Sequence, residues 1–74
     1  MGRMSSIDGR RMLKALARLG WLVVRVRGSH HFVAKPGASS AVIPVHPGRT
    51  MKEGTARAIL AQLGIPEDAF FDVY

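Results

Sequence analysis

The first apolar residues of the chain recur with a helical period. One stripe of this segment is apolar and consists of Met12, Leu13, Ala15, Leu16 and Leu19. Basic side chains cover the opposite side, namely Arg10, Arg11, Lys14 and Arg18. Such spacing is typical of an amphipathic helix. We expect Ser5 or Ser6 to cap its start and Gly20 to end it in a left-handed conformation.

The pattern then changes to a period of two. Three strands are predicted, at residues 21–27, 31–35 and 41–46. In the first of them valine alternates with arginine, which is typical of a strand with one buried face. Turn signals separate the strands at Gly28-Ser29 and at residues 36–40. Pro44 cannot donate to a ladder hydrogen bond, so the third strand is expected at an edge of the sheet.

A second helical stripe follows at residues 52–63 and consists of Ala56, Ile59, Leu60 and Leu63. Gly64 ends this helix, and Pro66 opens a short C-terminal helical turn. The order helix, three-stranded antiparallel sheet, helix predicts an α+β two-layer sandwich. Double-stranded-RNA-binding domains share this element order. The whole chain, residues 1–74, is interpreted as a single domain with a core at about residues 6–71.

Charge narrows the class of partner. The 74 residues include 11 Lys and Arg, 5 Asp and Glu, and no Cys, with a net charge of +6. Residues 1–65 hold all 11 basic residues and only two of the acids, Asp8 and Glu53, which leaves +9 there. A small domain this basic attracts polyanions such as nucleic acids. The lack of cysteine excludes disulfides and thiolate metal sites, and the longest apolar run, at residues 21–24, is too short to span a membrane.

The three histidines are the candidate catalytic residues. If the second turn is centred near residues 38–39, His31 lies opposite His46 and His30 opposite Pro47. Arg25, Arg27 and Lys35 approach this end of the sheet from neighbouring strands, and Arg49 lies in the adjacent loop. Imidazoles can move protons while guanidinium groups stabilise charge on phosphorus, which suits cleavage of a phosphodiester.

Strand parity leaves the choice between the two adjacent histidines open. Neighbouring residues of a strand point to opposite faces, so at least one of His30 and His31 is expected to be structural or simply exposed. If Phe32 and Ile43 face the core, His30 points inward, unless a bulge at Gly28-Ser29 reverses the parity. No metal-ligand pattern, phosphate-binding glycine loop or nucleophilic triad is found in the sequence, so we expect no metal and no cofactor.

Three segments closely resemble the HicA toxin family: Gly28-Ser29-His30-His31-Phe32, Val42-Ile43-Pro44-Val45-His46-Pro47-Gly48, and Gly54-Thr55 followed by Ile59-Leu60 and Leu63-Gly64-Ile65. The resemblance covers residues 6–71. It implies a cytoplasmic mRNA interferase with a double-stranded-RNA-binding-like fold, inhibited by a HicB antitoxin and touching DNA only through that antitoxin. It also implies that His30, which directly follows Gly-Ser, is catalytic, with His31 ranked second. His46, placed near them by the predicted pairing, is a second-rank candidate for the other proton-transfer group.

Three functions therefore compete. The first is a metal-independent endoribonuclease that uses His30 and holds RNA through Arg25, Arg27, Ser29, Lys35 and Arg49. The second is a non-catalytic RNA-binding module with the same basic surface. The third is an adaptor that only docks a partner protein and binds RNA weakly, with little dependence on salt. The resemblance favours the first.

Overall fold

The computed structural model describes residues 3–74. Its elements are a 3₁₀-helix (Arg3–Ser6), β1 (Ile7–Asp8), α1 (Gly9–Arg18), β2 (Leu22–Arg27), β3 (His30–Ala34), β4 (Ala41–Pro44), β5 (Thr50–Met51), α2 (Glu53–Leu63) and α3 (Glu67–Val73). Strands β2, β3 and β4 form an antiparallel sheet in that order, and β1 pairs with β5. The predicted α+β class is confirmed, and β4 is an edge strand as Pro44 indicated.

One hydrophobic core lies between the helices and one face of the sheet. The predicted stripes are buried in it: Met12, Ala15 and Leu16 from α1, and Ala56, Ile59, Leu60 and Leu63 from α2. From the sheet come Val33, Ala41 and Ile43, which are almost fully inaccessible to solvent. Met4, which lies before the predicted domain core of residues 6–71, is also buried here.

The start of α1 differs from the prediction. Ser5 and Ser6 lie in the 3₁₀-helix, and the N-cap is Asp8, whose Oδ2 accepts a hydrogen bond of 2.9 Å from the backbone N–H of Arg11. Asp8 has the extended backbone of an N-cap residue because it belongs to β1. Pairing of β1 with β5 therefore places the cap two or three residues later than expected.

The C-terminal segment is a full helix, where only a short turn was predicted. Phe70 of α3 is completely buried, and the Tyr74 hydroxyl accepts a hydrogen bond of 2.9 Å from the Asp8 backbone N–H. Arg11 and Arg18 donate to the carbonyl oxygens of Tyr74 and Val73. Two arginines of the basic side of α1 therefore hold α3. Within residues 3–74 no helix has the length and apolar character needed to cross a bilayer.

The register between β3 and β4 also differs from the prediction. His31 pairs with Ile43 and His30 with Pro44, so the predicted pairing of His31 with His46 was wrong by three residues. The cause is the turn, which closes at Lys35–Ala38 through a backbone hydrogen bond of 3.0 Å, with Gly37 at φ +75°. A glycine adopts this left-handed conformation without steric cost. The turn thus lies earlier than residues 38–39.

Candidate functional site

The corrected register places His30 on the open face of the sheet. Val33 is buried on the helix side, whereas Phe32 is only half-buried. Since side chains alternate along a strand, His30 and Phe32 share the face that no helix of residues 3–74 covers, and His31 lies on the helix side. The expectation that Phe32 faces the core was wrong. The prediction that His30 points inward depended on that expectation and was wrong as well.

A bulge in β2 brings two arginines to the same face. The pairing shifts between Val23 and Arg25, so that Arg25 lies opposite Phe32 and Arg27 opposite His30. Directly paired residues of an antiparallel sheet project from one face, with Cβ atoms about 4.5–5.5 Å apart. The Arg25 guanidinium lies over the Phe32 ring at 4.5 Å from its centroid. The parity-changing bulge therefore occurs in β2 and not at Gly28-Ser29.

His46 approaches the same end of the sheet from β4. The pairing continues past Pro44, because the Val45 N–H donates a hydrogen bond of 2.8 Å to the Ser29 carbonyl oxygen. His46 is two residues beyond Pro44, the partner of His30, and is therefore a diagonal neighbour of His30. Such neighbours lie about 7–8 Å apart, a gap that a phosphate group can fill.

A cleft of about 370 Å³ extends this end of the open face. Its lining residues are Pro44, His46, Arg49, Thr50, Met51, Lys52 and Thr55. A tight turn shapes it, in which the Arg49 N–H donates a hydrogen bond of 3.0 Å to the His46 carbonyl oxygen and Gly48 has φ +76°. Proline followed by glycine is the usual central pair of a type II turn. The turn places His46 and Arg49 on one cleft.

The other predicted site residues lie elsewhere or act through their backbone. His31 Nδ1 is 3.4 Å from the Ser29 carbonyl oxygen, on the helix side of the sheet. Lys35 Nζ donates to the Leu19 carbonyl oxygen at 3.2 Å and lies 4.4 Å from the Trp21 ring centroid. Five residues of extended strand, about 16 Å, separate Lys35 from His30. The structure therefore does not bring Lys35 to the cluster.

Three of the five acids pair with arginines that do not belong to the site. Among residues 3–74, the ion pairs are Arg3 with Asp68, and Arg57 with both Glu53 and Glu67. The hydrogen bond to the Glu53 carboxylate, followed by the charge of Glu67, raises the pKa of Arg57. Arg25, Arg27 and Arg49 belong to none of these pairs, so their charge stays available to an anionic ligand.

Two features of the site were missed from sequence. Phe32 was assigned to the core, yet its half-buried ring lies on the open face beneath the Arg25 guanidinium. Lys52 and Thr55 were assigned only to a helix, and their place in the cleft depends on the turn before β5, which the apolar pattern does not encode. In the described part of the chain, no group of three or more His, Cys, Asp or Glu side chains is placed to hold a metal ion.

The family model for the HicA toxin of bacterial toxin–antitoxin systems matches residues 9–65 of the 74. The chain belongs to the HicA toxin family. The match spans α1, the three-stranded sheet and α2, and thus contains the His30 face and the cleft. No curated protein gives a significant match. Membership of the HicA family makes the chain a toxin component and implies an antitoxin as its partner.

Proposed function

We propose that this HicA toxin is a metal-independent endoribonuclease that cleaves mRNA, with His30 as a general acid or base. The observation that carries the proposal is that Arg27 and His30 are paired on the open face, and that the ladder continues past Pro44 so that His46 is a diagonal neighbour of His30. The face is basic and open to a long polymer, and the planar Arg25 guanidinium that lies over Phe32 offers a cationic surface on which a base can stack. These are the requirements for binding single-stranded RNA.

The chemistry uses the ribose as its own nucleophile. One imidazole, His30 or His46, removes the proton of the 2′-hydroxyl, and that oxygen attacks the adjacent phosphorus. The bond from phosphorus to the 5′-oxygen breaks, and the second imidazole gives its proton to that oxygen. The products are a 2′,3′-cyclic phosphate and a 5′-hydroxyl. DNA has no 2′-hydroxyl and is not cleaved.

The arginines bind the substrate and stabilise the transition state. Arg27, directly opposite His30, is placed to neutralise charge that develops on the phosphate oxygens. Arg25, Ser29 and Arg49 hold neighbouring parts of the RNA. Lys35 lies just beyond the far end of β3. It contacts a nucleotide of the RNA that is several positions away from the bond that is cleaved.

The antitoxin inhibits by covering the basic face. A HicB-like chain that lies over His30 both blocks access and compensates the +9 charge of residues 1–65. Like its mRNA substrate, the toxin acts in the cytoplasm. It requires no cofactor, and it meets DNA only when the antitoxin binds it.

The decisive experiment compares His30→Ala with His31→Ala in cleavage of a long single-stranded RNA in EDTA, with mapping of the new ends. The two histidines are adjacent in sequence but lie on opposite faces, so His31→Ala is a matched control. We expect His30→Ala to lose about 10²-fold or more in rate, while His31→Ala retains most of the activity. The new ends should carry 5′-hydroxyl groups, and a single 2′-deoxy nucleotide should block cleavage at its own position.

Two outcomes would contradict the proposal. Full cleavage by His30→Ala would remove His30 from the mechanism. Salt-sensitive RNA binding without strand scission by the wild-type chain would instead support the non-catalytic RNA-binding module.

A further inference from the structure

In the part of the chain that the structure describes, the outer edge of β2 is unpaired, and the strand is apolar except for Arg25 and Arg27. Its four apolar side chains are exposed by 59% (Leu22), 44% (Val23), 66% (Val24) and 54% (Val26). The only other large apolar residue exposed to this degree within residues 3–74 is Val42. In the described chain β3 pairs with one edge of β2, and no strand pairs with the other. About half of the backbone N–H and C=O groups of β2 therefore point to solvent.

The two edges of the sheet differ. At the opposite edge, β4 has four residues and contains Pro44, both of which discourage pairing with another chain. β2 has six residues and no proline, and beyond its bulge residues 25–27 are paired regularly with β3. Proteins usually protect a long apolar edge strand, since it invites association. An edge left open in this way is suited to accept a strand from a specific partner, a recognition mode called β-augmentation.

Charge decides which occupant fits. A second copy of this chain would place the arginines of one β2 against those of the other, between two molecules that each carry +6. RNA offers a phosphate backbone, which cannot continue the alternating pattern of N–H and C=O groups. An extended protein segment that alternates apolar and acidic residues can make all three kinds of contact. Its backbone forms hydrogen bonds with the free groups of β2, its apolar side chains pack on the valines, and its acidic side chains pair with Arg25 and Arg27.

We propose that the outer edge of β2 is the docking site for an acidic, apolar β-strand of the antitoxin. This inference rests on the proposed function in taking the antitoxin as the inhibitory partner. The added strand would lie about 10 Å from β3, two strand spacings away. On the open face, Arg27 of β2 would be next to the added strand, and His30 of β3 would be one strand further on. The chain that follows the docked strand is therefore positioned to cover His30.

Hydrogen exchange tests this arrangement directly. The full chain is measured alone, with the antitoxin encoded beside it, and with single-stranded RNA. We expect at least tenfold slower exchange of β2 amides in the antitoxin complex only, because an added strand binds their free N–H groups. A complex in which β2 exchanges as in the free chain would overturn the proposal. So would equal protection by RNA, or protection that depends on the concentration of the toxin alone.

Substitution provides the second test. Leu22→Glu places a negative charge on the exposed edge, near the end of β2 that is distant from His30. We expect it to weaken antitoxin binding at least tenfold and to leave RNA cleavage without antitoxin unchanged. The matched control is Ala58→Glu, on the exposed side of α2, which should bind antitoxin as the wild type does. Wild-type affinity of Leu22→Glu would refute the docking site. If the wild-type chain does not cleave RNA, only the proposed ribonuclease activity is refuted, and the docking site is still tested by antitoxin binding.

Discussion

Replacement of Gly9 by alanine tests the contact that holds α1 against the sheet. Gly9 is the first residue of α1 and is buried. A Cβ atom at this position would lie 2.4 Å from the Pro44 carbonyl oxygen, 3.2 Å from the Val45 Cα and 3.3 Å from the Val45 Cγ2. The N-terminus of α1 therefore touches the backbone of β4 at the residue that pairs with His30.

Two effects of opposite sign compete in Gly9→Ala. Gly9 has an ordinary φ, so alanine would normally stabilise the helix by about 0.5–1 kcal/mol. The new methyl group, however, meets backbone atoms that no side-chain rotation can move. Overpacking of this kind costs about 1–3 kcal/mol. We expect the clash to dominate and the free energy of unfolding to fall by about 1–2 kcal/mol.

Thermal unfolding followed by circular dichroism measures this change. For a domain of this size, 1 kcal/mol corresponds to about 4–8 °C in Tm, so the Tm of Gly9→Ala should fall by about 4–16 °C. Gly54→Ala is the matched control, because Gly54 lies in a helix, has an ordinary φ, and has no atom within 4 Å of the added Cβ. Its Tm should stay the same or rise. A Tm of Gly9→Ala at or above the wild-type value would refute the close packing of α1 on β4.

Two further substitutions test the cap and the cleft. Asp8→Ala removes the side-chain acceptor of the Arg11 N–H and should lower the free energy of unfolding in urea by about 1 kcal/mol, whereas Asp72→Ala, at an exposed position of α3, should change it by less than about 0.5 kcal/mol. Arg49→Gln should weaken RNA binding and reduce the slope of log K against log salt by about 0.7, as expected for one lost phosphate contact. An unchanged slope would show that Arg49 does not contact RNA.

Helices α1 and α2 and the order helix, three-stranded sheet, helix were predictable because each of these helices buries one continuous stripe, whereas the two-residue strands β1 and β5 carry no such pattern. Ala56, Ile59, Leu60 and Leu63 repeat at the helical period, and burial of such a stripe determines the orientation of a helix without knowledge of its neighbours. Gly64, which ends α2 with φ +70°, was likewise predictable, since its role depends only on local backbone geometry.

The register of the sheet was not predictable by the same reasoning. Residues 36–40 contain several turn-forming residues, and the hydrophobic pattern of β3 and β4 alone does not show which of them forms the turn. Because side chains alternate, an error of three residues in register moves a set of side chains to the other face. The apolar residues Phe32 and Val33 are adjacent, so the pattern in β3 fits either parity.

The pairs that form the site depend on the least predictable feature, the bulge in β2. If the pairing of Val23 with Val33 continued without it, Arg25 would lie opposite His31 on the helix side and Val26 opposite His30. The extra residue shifts the rest of the strand by one position, so that both arginines reach the open face. The same shift turns Val26 to the helix side of the sheet, where the helices do not cover it, and about half of its side chain is exposed. A single bulge thus creates both the basic face proposed to cleave RNA and part of the apolar edge proposed to bind the antitoxin, which explains why the two surfaces lie on one strand.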